Sequence, residues 1–198
     1  MSINKMIDLR FQALGNILHV DHGFALYSAV SKILPIFHSV NNTGMSLVRG
    51  RYIGDGLLSI APMSSLVFRL PVAQMHDFIN LAGKLLNIGG HSLQIGTPSS
   101  HALVPAATLY AHLVTTKNGH DQARFESETA RQLEQLACRG RMIVGRRRTF
   151  KVHGRQVVGY SVLVSELTAE ESIILQEKGL GGRRKMGCGF FQPWQVGQ

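Results

Sequence analysis

Apolar and polar residues alternate from Met6 to Leu14, which is the two-residue period of a β-strand with one buried face. Apolar residues then recur at helical spacing from Leu26 to Phe37, and Pro35 predicts a break near the end of that helix. Alternation returns at residues 45–52 and 65–70, with glycine turn signals between them. The pattern predicts one strand, one helix and two further strands.

A second helix is expected from Pro71 through Leu86, because proline suits the first helical position and apolar residues follow at helical spacing. Gly89-Gly90 then predicts a turn into a last strand at 92–95. The order β-α-β-β-α-β is that of the ferredoxin-like arrangement. Residues 1–98 are therefore predicted to form an N-terminal ferredoxin-like domain, followed by a connector at 99–105.

The second half of the chain repeats this order without a repeat of sequence. A strand is expected at 109–115, a helix capped by Asp121, and a hairpin whose turn lies at 153–155. Thr168 and Glu171 form a capping box for a second helix, and residues 186–191 are expected to be the final strand. The sequence thus predicts an α+β fold with a second ferredoxin-like (RRM-like) domain at 99–198.

Charge indicates the kind of partner. The 198 residues carry a net charge of +9, and the span 139–155 contains seven basic residues and no acidic one. Such a local excess favours a polyanionic partner, with nucleic acid first and an anionic membrane surface second.

Several classes of protein are excluded by composition. The chain has 2 cysteines and no C-x-x-C pair, which excludes a disulfide framework and argues against structural zinc. Neither a signal peptide nor a membrane-spanning apolar run is present in the sequence. We expect a soluble, cytoplasmic protein without a metal, a small-molecule cofactor or a membrane partner.

Two basic segments are candidates for nucleic-acid contact. In the glycine-rich segment 179–191, glycines allow close approach to a phosphate and three consecutive cations follow. In the segment 138–155, alternation would place a polar ladder on one strand face. The alternatives are a flexible loop with solvated charges and a charged edge strand. The candidate contacts are Gly181, Gly182, Arg183, Arg184, Lys185, Arg146, Arg147, Arg148, Lys151 and Arg155.

His38 is the histidine best placed for proton transfer, since it follows the first helix directly and imidazole titrates near neutrality. On spacing alone, an ordinary loop histidine is the favoured interpretation of His38.

A resemblance narrows these alternatives. The run Asp21-His22-Gly23-Phe24-Ala25-Leu26-Tyr27, continued by Leu34-Pro35-Ile36-Phe37-His38, is similar to the first-helix region of CRISPR-associated repeat-RNA endoribonucleases of the RAMP superfamily. The segment 179–191, ending in Gly187-Cys188-Gly189-Phe190, resembles their C-terminal glycine-rich loop, and the chain length suits the compact subgroup.

The family resemblance implies tandem ferredoxin-like domains, binding of CRISPR repeat RNA and one metal-independent cut in each repeat. In that reaction the ribose 2′-hydroxyl attacks the adjacent phosphate, which leaves a cyclic phosphate and a free 5′-hydroxyl. The enzyme commonly stays on the mature crRNA and joins other CRISPR effector subunits. Two alternatives stay open: a crRNA-binding structural subunit without cleavage, and an unrelated basic protein with RRM-like domains.

The same resemblance assigns roles to residues. His38 matches the usual general acid/base, and Tyr27 matches an aromatic or histidine position within the first helix. His22 is a second choice of base, whose pKa helix-terminal amides would lower. Where the family often has a lysine this chain has Gly44, so Arg49 and Arg51 are the nearest cations for the phosphorane.

Overall fold

The computed structural model describes residues 5–194. The chain divides into two compact units, with the boundary between Ala102 and Leu103. Each unit is a mixed α+β structure in which all strand pairs are antiparallel. None of the helices between residues 5 and 194 combines the length and the hydropathy needed to cross a membrane.

Unit 1 contains a five-stranded and a three-stranded sheet, with strand orders β3-β6-β1-β8-β7 and β2-β5-β4. One 3-10 turn, Val72–Gln74, precedes its last helix. Its elements are β1 (Met6–Leu14), β2 (Ile17–His19), α1 (Gly23–Ile33), α2 (Ile36–Ser39), β3 (Gly44–Met45), β4 (Gly50–Gly54), β5 (Leu57–Ile60), β6 (Ser65–Pro71), α3 (Met75–Ile79), β7 (Leu85–Ile88) and β8 (His91–Ala102).

The core of unit 1 follows from the alternation along β1. Leu9 and Phe11 are buried on one face of the sheet, where they join α1 residues in a single cluster. Phe37 of α2 packs edge-on against Phe68 of β6, with ring centroids 5.5 Å apart. Offset and edge-on aromatic pairs add about 0.5–1.5 kcal/mol beyond the area they bury. This cluster fixes α2 against the sheet.

The strand predicted at 45–52 is wrong, because the segment is divided between two sheets. β3 ends at Met45 and β4 begins at Gly50. Between them the N–H of Val48 donates to the ring of His22 (3.1 Å), and the hydroxyl of Ser46, instead of a carbonyl, accepts from Val67 (3.0 Å). The N–H of Ser46 still donates to the carbonyl of Val67 (2.8 Å), so side chains replace only part of the strand pairing that the apolar pattern predicted.

The helix predicted from Pro71 through Leu86 is also wrong at both ends, because β6 runs to Pro71 and α3 is confined to Met75–Ile79. Gly83 has a φ of +77°, and Leu86 and Ile88 are buried on one face of β7, which forms a hairpin with β8. A short apolar run fits either period, and here the glycine turn after Ile88 selects the strand. Residues 99–102, expected as connector, instead extend β8 along β1.

Unit 2 has one four-stranded sheet in the order β10-β11-β9-β12. Its elements are β9 (Leu109–Val114), α4 (Gln122–Gln135), β10 (Arg141–Val152), β11 (Arg155–Ser165), α5 (Ala169–Lys178) and β12 (Gln192–Pro193). The predicted caps are confirmed: Asp121 accepts from the N–H of Arg124, and Thr168 and Glu171 form a capping box.

The final strand predicted at 186–191 is wrong. Arg183 and Gly187 adopt left-handed backbone conformations on either side of one 3-10 turn, Arg184–Met186. The N–H groups of Met186 and Cys188 both donate to the carbonyl of Arg183 (2.8 and 3.3 Å), so these residues bond locally, and Gly189 makes a single bond to β9 without forming a strand. Strand pairing resumes only at β12.

Candidate functional site

His38 and Tyr27 lie together in unit 1. Pro35 starts the single turn of α2, and the N–H of His38 donates to the carbonyl of Pro35 (3.0 Å). Fully buried Phe37 anchors this turn, which leaves the next side chain, His38, exposed. Tyr27 of α1 is half-buried, and its ring centroid lies 6.3 Å from that of His38. The structure therefore brings the two predicted residues together at the surface.

His22 is placed differently, with only 1% of its surface exposed. Its Nδ1 lies 2.7 Å from the carbonyl of His19, and its Nε2 accepts from the N–H of Val48 (3.1 Å). Because a backbone N–H can only donate, the ring proton must sit on Nδ1. Burial lowers the pKa of His22, so the cause is desolvation rather than the helix-terminal amides we expected. This geometry favours a structural role for His22.

Arg49 and Arg51 are both exposed, and they lie on or beside β4. The carbonyl of Arg49 accepts from the hydroxyl of Ser64 (2.8 Å), and Arg51 pairs with Ser59 of β5. Since β4 belongs to the three-stranded sheet, these arginines stand on a different element from His38.

The basic residues of β10 lie on both faces of the β10–β11 hairpin. Arg147, Thr149 and Lys151 are exposed, and they alternate with Arg148 and Phe150, which are at least partly buried. The exposed polar ladder predicted from the sequence is therefore present at these three positions, whereas His153, expected to be its fourth member, lies in the hairpin turn. Thr149 lies opposite Val158, and Lys151 lies opposite Gln156.

Arg148 and Phe150 point to the other face of the hairpin. Phe150 belongs to a small buried cluster with Leu113 of β9 and Cys188, against which Met186 packs. The glycine-rich segment thus covers part of the sheet face on which Arg148 lies. The Nε atom of Arg148 is buried, with no hydrogen-bond partner among the described residues.

The glycine-rich segment is held by hydrogen bonds, unlike the flexible loop left open above. The N–H of Gly181 donates to Oε1 of Gln132 in α4 (2.7 Å), and the N–H of Gly182 donates to the carbonyl of Thr115 (2.9 Å). The N–H of Gly189 donates to the carbonyl of Leu113 (2.7 Å). These amides, two of which we expected to approach a phosphate, bond within unit 2 instead.

What the segment presents outward is its cations. Arg183 is exposed, while Arg184 and Lys185 in the 3-10 turn are half-buried. Burial lowers the pKa of Lys185. Burial also raises the pKa of the Cys188 thiol to about 12, so this cysteine is a packing residue.

Two features of unit 2 were not found from the sequence. Gln132 holds the start of the glycine-rich segment through the bond to Gly181. Tyr110 and Trp194 form a ring pair with centroids 5.0 Å apart. Both contacts join residues far apart in the chain, so no local pattern could have indicated them. Between residues 5 and 194, no three His, Cys, Asp or Glu side chains are grouped so as to hold a metal ion.

Comparisons with known proteins agree with the resemblance. A family model described as Cas6 Crispr matches residues 7–196. The CRISPR-associated endonuclease Cas6 of Myxococcus xanthus is 37% identical over 194 residues, covering 94% of this chain and 81% of that protein.

Solved structures share the fold at low sequence identity. A structure of a CRISPR associated protein Cas6 has a TM-score of 0.70 at 13% identity and covers 96% of this chain and 99% of its own. A RAMP protein described as binding different RNA substrates has a TM-score of 0.66 at 15% identity and covers 96% of this chain and 100% of its own. From the family match and the curated relative, the chain belongs to the Cas6 family of CRISPR-associated proteins.

Proposed function

We propose that this protein is an endoribonuclease that binds CRISPR repeat RNA and cuts precursor crRNA. The observation that carries the proposal is the 37% identity, over 94% of the chain, to a protein named a CRISPR-associated endonuclease. Exposed His38 with its half-buried neighbour Tyr27, and the surface cations of unit 2, are the groups that such a reaction needs.

We also propose that each unit is a ferredoxin-like domain, with the boundary at Ala102. In unit 1 the strands β3-β6-β1-β8 are adjacent, with α1 after the first strand in sequence and α3 after β6. In unit 2 the order is β10-β11-β9-β12, so the first and third strands of the unit, β9 and β11, again lie in the middle of the sheet. Both orders fit two β-α-β units interleaved in one antiparallel sheet.

The proposed reaction needs no metal ion. A base removes the proton of the ribose 2′-hydroxyl, and the oxygen attacks the adjacent phosphorus. The bond from phosphorus to the 5′-oxygen breaks, and that oxygen receives a proton, which leaves a cyclic phosphate and a 5′-hydroxyl. We assign proton transfer to His38, because its ring is exposed on a helix turn that Phe37 anchors.

Tyr27 has a supporting part in this proposal. Its ring stands beside that of His38 and is itself packed on Phe37, with centroids 5.7 Å apart. A half-buried tyrosine can orient the neighbouring imidazole and donate a hydrogen bond from its hydroxyl. Arg49 and Arg51 are proposed to stabilise charge on the phosphate, since both are exposed cations of the same unit.

Binding would rest on the cations of unit 2. Arg147 and Lys151 project from one face of the β10–β11 hairpin, and Arg183 projects from the glycine-rich segment. The remaining proposed contacts are Arg146, Arg148, Arg155, Arg184 and Lys185. Each phosphate that they neutralise releases counterions and makes affinity fall with salt. We further propose that the protein stays on the mature crRNA and meets other effector subunits there.

The test is cleavage of labelled repeat RNA in EDTA under single-turnover conditions. We expect one cut that yields a cyclic phosphate, slowed about 10²-fold or more in His38→Ala, the loss typical of a missing proton-transfer group. His76→Ala is the matched control, because His76 is also an exposed histidine on a short helix of unit 1. Tyr27→Phe should slow the cut less than His38→Ala.

Binding is measured with the same variants. Tight binding without cleavage by the wild-type protein would instead support a structural crRNA-binding subunit. Cleavage that His38→Ala leaves unchanged would remove the assignment of His38.

A further inference from the structure

The sheet of unit 2 has one face turned away from its helices. Leu109 and Ala111 of β9 are buried in the cluster that contains Phe125 and Leu133 of α4. Successive side chains of a strand point to opposite faces. Tyr110 and His112 therefore lie on the face opposite the helices, the face that the glycine-rich segment covers in part.

Trp194 joins Tyr110 on this face. β12 pairs with β9 so that Gln192 lies opposite Tyr110. The N–H of Trp194 donates to the carbonyl of Thr108 (3.0 Å), which continues the pairing and keeps Trp194 on the side of Gln192. The two rings are 5.0 Å apart at their centroids, at an interplanar angle of 58°.

This aromatic pair differs from the pairs that serve the core. Phe125 and Tyr160, on the helix side of the same sheet, are also in contact (4.7 Å), but both are almost fully buried. Tyr110 and Trp194 are only half-buried. Part of each ring is therefore left accessible to a ligand.

The surroundings of the pair are apolar at the centre and basic at the edge. Leu163 of β11 lies directly opposite Tyr110, and Ile143 of β10 lies opposite Leu163. Ile143 is 48% exposed, so this row of side chains presents apolar surface to solvent on the edge strand. Exposed Arg141 and His112 border this row on the same face. The combination fits a flat apolar group that carries a negative charge nearby.

We propose that Tyr110 and Trp194 form a stacking site for an unpaired base of the bound RNA, with Arg141 on its phosphate. The proposal rests on the proposed function and adds to it a site for single-stranded RNA. Aromatic rings stack on any base because every base has a π face, so such a site holds RNA without selecting sequence. Arg148, on the same sheet face, provides a charged continuation toward the glycine-rich segment.

The chain contains a single tryptophan, Trp194, so emission excited at a wavelength that the 4 tyrosines do not absorb reports on this site. We expect saturable quenching of its emission on titration with a single-stranded RNA oligonucleotide and with repeat RNA. Fully paired duplex RNA should leave the emission unchanged. Trp194→Leu and Tyr110→Leu should each weaken binding of single-stranded RNA by roughly 5- to 100-fold, the range typical of one lost base–aromatic stack.

The variant Trp194→Phe distinguishes stacking on RNA from a purely structural role of Trp194. This variant keeps a stacking ring and should bind RNA within a few-fold of the wild-type protein, while thermal unfolding shows that each variant is folded. Binding of repeat RNA with unchanged emission, or full affinity in folded Trp194→Leu, would overturn the stacking site and leave the proposed function intact. Failure of the wild-type protein to bind any RNA would overturn both.

Discussion

Substitution of Gly181 by alanine tests how the glycine-rich segment is held. Gly181 has a φ of +73°, and a Cβ atom there would lie 2.3 Å from the carbonyl oxygen of Thr115. An L-residue in the left-handed region costs about 1–2 kcal/mol. Relief of the contact must move the Thr115 carbonyl, which accepts from Gly182 in a hydrogen bond with a net value of about 1 kcal/mol. We therefore expect Gly181→Ala to lower the free energy of unfolding by about 2–3 kcal/mol.

Gly182→Ala is the matched control, because the adjacent residue has nothing within 4 Å of its Cβ position. Urea denaturation should leave this variant within about 0.5 kcal/mol of the wild-type protein. In the Gly181→Ala variant, affinity for repeat RNA should also fall, since the displaced backbone leads directly to Arg183 and its neighbours.

Equal stability of Gly181→Ala and Gly182→Ala would refute this account of the segment. It would mean that the segment moves away from β9 at little cost, and that Thr115 does not constrain it. Loss of RNA affinity in Gly182→Ala alone would instead indicate that RNA approaches this exposed backbone directly.

Two further predictions concern buried ionisable groups of unit 1. Burial lowers the pKa of His22 below its ordinary value of about 6.5, so the unfolded chain binds the proton more readily and stability is lost as pH falls below about 6.5. Urea denaturation from pH 7.5 to 5 should show the free energy of unfolding falling by at most about 1.4 kcal/mol per pH unit. This slope should be smaller in His22→Gln, and equal slopes in the two proteins would contradict the prediction. By the same measurement, Asp8→Ala should lower the free energy of unfolding by roughly 3–5 kcal/mol, because Asp8 accepts two hydrogen bonds from fully buried Arg69 (2.7 and 2.8 Å). The double variant Asp8→Leu with Arg69→Met should recover part of this loss.

Elements whose signals are local were predicted well from the sequence. β1 alternates over nine residues, and its bounds in the structure are those of the apolar pattern. The capping box of Thr168 needs only residues three apart, and both of its hydrogen bonds are formed. The caps depend on contacts within one helical turn, so the sequence alone contains what determines them.

Elements that depend on distant partners could not be predicted. The segment after β3 leaves the strand because Val48 bonds to His22, 26 residues earlier in the chain. The family resemblance assigned both His38 and Tyr27, which lie only eleven positions apart in one segment of helix and turn. Tyr110 and Trp194 are also neighbours, but only the pairing of β9 with β12 makes them so. Sequence separation, rather than residue type, therefore decided which part of the candidate site was accessible to prediction.

The β10 strand shows how one residue of register determines the basic surface. Gly145 and Arg146 together lie opposite a single residue of β11, which is a β-bulge. Before the bulge, Val144 packs against the helix-side core, and after it Arg147 lies opposite Tyr160 on that same side.

Because side chains alternate with a period of two, the extra residue reverses which positions face the helices. Without the bulge, Phe150 would turn away from Leu113 and Cys188, and the positions of Arg147 and Arg148 would be exchanged between the two faces. The alternation of residues 147–152 is compatible with either arrangement, so the sequence predicts a polar ladder without predicting its face. The buried cluster beneath the glycine-rich segment makes the choice, and it places Arg148 on the sheet face that carries Tyr110 and Trp194.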